Sequence, residues 1–239
     1  MLIEICANSY QSAVNAEKAG AHRIELCSEL AVGGITPSYG LIKKVMQDIS
    51  IPVHVLIRPR SGDFNYSQDE FEIMKENIEF CKELGCAGIV SGVLRGDNTI
   101  DTRRTQELIT LAKSMSFTFH RAFDWVQDPK EEITELSKIG VNRVLTSGQE
   151  ASAEHGIELL KELKELTNIS ILPGGGINIE NIHLFQEAGF DEVHLSATKQ
   201  RRTIETPKIS MNSLKHFEET QLSTSDIATI QHILSKIND

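Results

Sequence analysis

Two rhythms of apolar and polar positions alternate along the chain. Short apolar runs, among them Leu2 to Cys6, Val53 to Ile57, Ser116 to His120 and Ile169 to Leu172, read as buried strands. Between them apolar positions recur every three or four residues, the period of a helix with one buried face. That period predicts helices at Tyr10 to Ala19, Ser38 to Gln47, Gln68 to Leu84, Thr102 to Met115, Pro129 to Ile139, Glu154 to Leu166, Ile179 to Ala188 and Asp226 to Ile237. Asp128 before Pro129 marks one start, and Asn178 is placed to cap the helix that follows a run of glycines.

A repeat ties the two rhythms together. In Ala19-Gly20-Ala21-His22-Arg23-Ile24-Glu25-Leu26 a helix end, a glycine and a strand follow one another. The same order returns in Leu84-Gly85-Cys86-Ala87-Gly88-Ile89-Val90, in Ile139-Gly140-Val141-Asn142-Arg143-Val144-Leu145 and in Ala188-Gly189-Phe190-Asp191-Glu192-Val193-His194-Leu195. Each glycine sits where a helix ends in the left-handed conformation. With these, eight strands alternate with eight helices without a break in composition. The pattern predicts an α/β fold, a TIM (β/α)₈ barrel, as a single domain over residues 1–239, with an open doubly wound sheet as the alternative. Thr198 to Thr224 is the least regular segment, readable as a long loop with a short helix around Met211 to Glu219.

Composition narrows the partners. A net charge of -10 and a pI near 5.3 argue against nucleic acid or an anionic membrane and leave a small ligand or another protein. No apolar stretch approaches the roughly 20 residues that span a bilayer. The first residues already read as a strand rather than a signal peptide, so a cytoplasmic protein is expected. Its four cysteines, Cys6, Cys27, Cys81 and Cys86, are then reduced thiols. Cys81 and Cys86 are too widely spaced for a CxxC motif and read as packing residues.

In such a barrel the working residues lie at the C-terminal ends of the strands. Strand parity turns Glu4, Cys6, Glu25, Cys27, Arg58, His120, His194 and Ser196 inward, with Arg60 just beyond the third strand. Glu4-Ile5-Cys6 and Glu25-Leu26-Cys27 repeat one pattern on neighbouring strands. Two inward thiols at one level could share a soft ion such as Cu(I), or could simply fill space. The buried carboxylates need partners, for which Arg58, His120 or water are available. His120 beside Glu25 or Asp124 would suit acid-base chemistry, although Asp124 could equally cap a turn. Arg58 and Arg60 at the mouth suit a carboxylate or phosphate, or else pair with nearby acids. Gly174, Gly175 and Gly176 after the seventh strand, with Ser147 and Ser196 beside them, could form an anion cup or merely a tight turn. No Walker loop, HExxH or GxSxG motif is present.

Taken together, several stretches carry a more specific signal. Glu4-Ile5-Cys6, Arg23-Ile24-Glu25-Leu26-Cys27, Gly33-Gly34-Ile35-Thr36-Pro37-Ser38, Ile57-Arg58-Pro59-Arg60, Phe119-His120-Arg121-Ala122-Phe123-Asp124, Leu145-Thr146-Ser147-Gly148 and Pro173-Gly174-Gly175-Gly176-Ile177 resemble the CutC family, named for copper homeostasis. The likeness runs in order from the first strand to about Ser196 and is weak after Thr198. It implies a cytoplasmic TIM barrel, a homo-oligomer of two or more copies, and a role in copper handling. It also implies Cu(I) ligands at Cys6 and Cys27. No reaction comes with the family, so an enzyme using Glu25, His120, Asp124 and Arg58 on a small anionic substrate, phosphorylated ones included, stands as the second reading.

Overall fold

Each apolar run becomes a strand that pairs in parallel with its neighbours. In the computed structural model, which describes residues 1–211 and 217–238, the strands are β1 (Leu2–Ala7), β2 (Arg23–Leu26), β3 (Val53–Leu56), β4 (Gly88–Ser91), β5 (Ser116–Phe119), β6 (Arg143–Thr146), β7 (Ser170–Pro173) and β8 (Glu192–Leu195). They join in chain order, β8 returns to β1, and one parallel bridge from Gly174 to His194 brings the open edge of β7 to β8. The helices are α1 (Tyr10–Ala19), α2 (Tyr39–Asp48), α3 (Gln68–Glu83), α4 (Thr102–Ala112), α5 (Pro129–Lys138), α6 (Ile157–Leu166), α7 (Ile182–Glu187) and α8 (Ile227–Asn238). Eight parallel strands in a nearly closed ring with eight helices make this the expected barrel and exclude the open sheet.

Local chemistry explains most of the boundaries. Ser9, Ser38, Asp101 and Asp128 accept N–H groups of their own first turns, and Ser67 with Glu70 forms a reciprocal capping box on α3. Gly20, Gly85, Gly140 and Gly189 all have φ between 74° and 91°, the left-handed turn their repeat calls for. Two helices start later than their periodicity predicts. Asn178 takes the N–H of Glu180 at 2.8 Å and gives its own N–H to the Asn181 side chain at 2.9 Å, so these amides hold a turn and α7 begins at Ile182. Gly156 likewise delays α6 to Ile157.

The segment after β8 is more ordered than its sequence reads. Its ends pair as an antiparallel hairpin, β9 (Thr198–Arg202) with β10 (Gln221–Ser225). The hairpin is tied to the first β/α unit: Asn8 donates to the Ser223 carbonyl at 2.9 Å and Asn15 to the Ser225 carbonyl at 2.8 Å. The short helix expected around Met211 to Glu219 falls largely on residues 212–216, which lie outside the described residues.

The apolar core lies between sheet and helices, built on outward strand residues such as Ile3, Ile5, Ile24 and Leu26, each with no exposed surface. The barrel interior is charged instead. Arg23 pairs with Glu4 and, at 2.6 Å, with Glu192. Arg143 reaches the other Glu192 oxygen at 2.6 Å and donates to Ser116 and Thr118. This network occupies the N-terminal half of the interior, where barrels usually place branched apolar side chains.

Candidate metal and ligand site

The two Glu-x-Cys triplets are out of step by two residues. Glu4 lies opposite Arg23, and Cys6 lies opposite Glu25. The thiols are therefore not level, as the repeat would place them. Cys27 sits one layer above, its N–H bonded to the Ala7 carbonyl. Their side chains nevertheless converge, with the two Sγ atoms 3.6 Å apart. Leu56 and Val90 pack around them and seal Cys27 completely, while Cys6 keeps an edge on the cavity.

His194, arriving on β8, completes the cluster. One ligand atom each from Cys6, Glu25 and His194 lies within 4.8 Å of the others. The Nδ1 of His194 is 2.8 Å from a Glu4 oxygen and 3.9 Å from Oε2 of Glu25. Of the partners foreseen for the carboxylates, neither Arg58 nor His120 takes the role: Glu4 meets Arg23 and His194, and the imidazole nearest Glu25 is that of His194.

Burial sets the charges here. It pushes the Glu25 carboxyl up to about 7, opposed by His194 and reinforced by Glu4. Burial presses the same way on Glu4, but the His194 hydrogen bond and the Arg23 charge hold that carboxyl well below the usual range. Burial disfavours the His194 cation, yet Glu25, Cys6 and Glu4 together raise its pKa well above an ordinary imidazole. The bond to Cys27 and burial push the Cys6 thiol up.

A second wall of the same cavity carries His120, Arg58 and Phe64. His120 accepts the Ala122 N–H on Nδ1 at 3.2 Å, so its proton sits on Nε2, which has no partner. Burial and the Arg58 charge lower its pKa to about 3. Arg58 donates to the carbonyls of Val32, Gly34 and Gly62 at 2.8 to 2.9 Å, tying the rim loop after β2 to the one after β3.

Other expected site residues are placed differently. Asp124 accepts from Thr146, from the N–H groups of Ser147 and Gln149, and from Arg121, which is the turn-capping alternative. Ser147 is buried, giving its hydroxyl to the Glu150 carbonyl and accepting from Arg121. Gly174 is taken up in closing the barrel, whereas Gly175, Gly176 and Ser196 line the cavity. Arg60 lies outside the cavity, paired with Glu70 at 2.5 Å and Asp63 at 3.0 Å.

Four interior residues escaped the sequence reading: Arg23, His54, Arg143 and Glu192. Parity alone would have found them, since each lies two residues from a position read as inward or in step with one. Their ionic partners made them look like surface positions.

The fold and the cavity together define a parallel eight-stranded barrel with thiol, carboxylate and imidazole groups gathered at its C-terminal mouth. The model of the CutC family matches residues 1–199, and the chain belongs to that family. A CutC protein of Enterobacter sp. (strain 638) is 48% identical over 199 residues, covering 83% of this chain and 81% of the relative. The human copper homeostasis protein cutC homolog is 41% identical over 236 residues, 96% of this chain and 86% of its own. The solved CutC structure from Streptococcus agalactiae superposes with a TM-score of 0.76 at 37% identity, covering 81% of this chain and 97% of that one. The family model ends at residue 199, just inside β9, whereas the human match takes in 96% of the chain. No helix among the described residues is long and apolar enough to cross a membrane.

Proposed function

We propose that the chain binds Cu(I) as cargo at Cys6 and Cys27, with His194 as a third donor, and handles copper in the reducing cytoplasm. The observation that carries this reading is the 3.6 Å approach of the two thiols, with Cys6 also within 4.8 Å of ligand atoms of His194 and Glu25. Thiolate sulfur and imidazole nitrogen suit Cu(I), and an ion there would also face the unpartnered Oε2 of Glu25. All four cysteines are free thiols, consistent with a reducing compartment. The copper homeostasis name of the human relative points the same way.

Because the Cys27 bond and burial hold the Cys6 proton in place and the neighbouring carboxylates keep His194 protonated, binding must expel a proton from each, and affinity should rise with pH. Competition with a Cu(I) chelator tests the proposal. The Cys6→Ser, Cys27→Ser double variant should lose tight binding, while His120→Ala should bind nearly as wild type does. A folded double variant that competes as well as wild type ends this reading.

A further inference from the structure

A single ion leaves most of the cavity unexplained. Its volume is about 1340 Å³, the scale of a pocket for an organic molecule. On the wall away from the thiol pair, His120 is 5% exposed and its Nε2–H finds no acceptor. A buried donor without a partner is destabilising, so an acceptor is expected from outside the chain. The ring is held firmly: Phe64 packs on it at 4.9 Å between centroids, and a Cβ on Gly92 would fall 2.7 Å from its Nδ1. Only a glycine leaves room for it.

The charge beside it has no carboxylate counterion among the described residues. Arg58 is 6% exposed and lies over the Phe64 ring at 5.0 Å. Its partners are three neutral main-chain carbonyls rather than a carboxylate, so a buried positive charge stands next to an unsatisfied donor. Trp125, edge-on to Phe64 at 4.9 Å and half exposed, adds an apolar surface to the same wall.

We propose that this wall is a binding site for a small organic anion, whose carboxylate or phosphate oxygen accepts from His120 Nε2–H beside Arg58. The site needs no metal and stands independently of the copper reading.

The test uses the full-length, copper-free protein with glycolate and inorganic phosphate as separate probes, at ionic strength fixed with chloride. Calorimetry should show saturable binding of one of the two in the millimolar range, and that one tells carboxylate from phosphate. The His120 Nε2 resonance, followed with ¹⁵N-labelled imidazole, should shift along the same isotherm. His120→Asn keeps an acceptor for Ala122 but is too short to place a donor where Nε2–H stands, and should weaken binding about tenfold or more, the worth of one hydrogen bond to a charged group. Three results each overturn the proposal: saturation by neither probe, saturation without a shift at His120, or a folded His120→Asn that binds as wild type. Should the variant not fold, the wild-type resonance decides alone.

Discussion

Glu4 and Glu25 open the same Glu-x-Cys triplet on adjacent strands, and the barrel treats them oppositely. Glu4 faces the N-terminal half of the interior, where Arg23 and His194 satisfy it and keep it ionised. Glu25 is two residues higher along the ladder, level with Cys6, where burial is nearly as complete but no hydrogen bond reaches Oε2. One carboxylate belongs to a closed ionic network and the other to an open site. The contrast extends to the imidazoles: His194 is held as a cation between carboxylates, while His120 is neutral with a free donor. The lower interior spends its polar groups on one another, and the mouth leaves them available.

The comparison breaks most visibly through Arg23. Replacing it in Arg23→Met leaves Glu4 and Glu192 without a shared cation and should cost about 3–5 kcal/mol in urea unfolding, as loss of one member of a buried pair does. Near pH 4.5, where the folded state keeps Glu25 protonated, Glu25→Gln should change stability by less than about 1 kcal/mol, because no hydrogen bond to Oε2 is lost. A large loss from Glu25→Gln would place that residue in the structural network.

A smaller effect lies in the pH dependence. A folded pKa of about 7 against an unfolded value near 4.5 means that the folded state holds the extra proton between those limits. The contribution of Glu25 to stability is therefore full below the lower limit and is lost as pH rises through 7. Between pH 5 and 8 wild type should lose about 3 kcal/mol relative to Glu25→Gln. Glu4 acts in the reverse sense: its contribution is present at neutrality and fades only under strong acid. A Glu25 carboxyl resonance that titrates near 4.5 would remove the contrast.

The mildest test links the two halves. Glu4 orients His194 by a 2.8 Å contact, the role of a group that steadies a metal-binding imidazole. Glu4→Gln should weaken Cu(I) binding about 10- to 100-fold if the metal uses His194, measured by chelator competition on protein verified as folded. Unchanged affinity would restrict the ligands to sulfur.

Much of this was legible in advance, and the failures have a common cause. Periodicity located every barrel strand and the order of the helices, because burial on a sheet or helix face repeats with a fixed step. It misjudged the starts of α6 and α7, where Gly156, Asn178 and Asn181 hold turns against the helical pattern. It also read Thr198 to Thr224 as irregular, since β9 and β10 are polar strands whose pairing bridges a long gap in sequence. At the site, parity brought Cys6, Cys27, Glu25 and His194 inward, and the same parity was not extended to the charged Arg23, Arg143 and Glu192, which only their mutual pairing allows inside.

By itself, then, the sequence determined the repeating units, their closure into a parallel barrel, and the family to which the chain belongs, since these follow from local periodicity and ordered motifs. Only the tertiary structure decided the register. A shift of two residues between β1 and β2 sets Cys6 beside Glu25 rather than Cys27 and sets Glu4 beside Arg23. That offset sorts the interior into a neutralised floor and an unsatisfied mouth. It depends on how eight strands fit around one ring, which no single strand encodes.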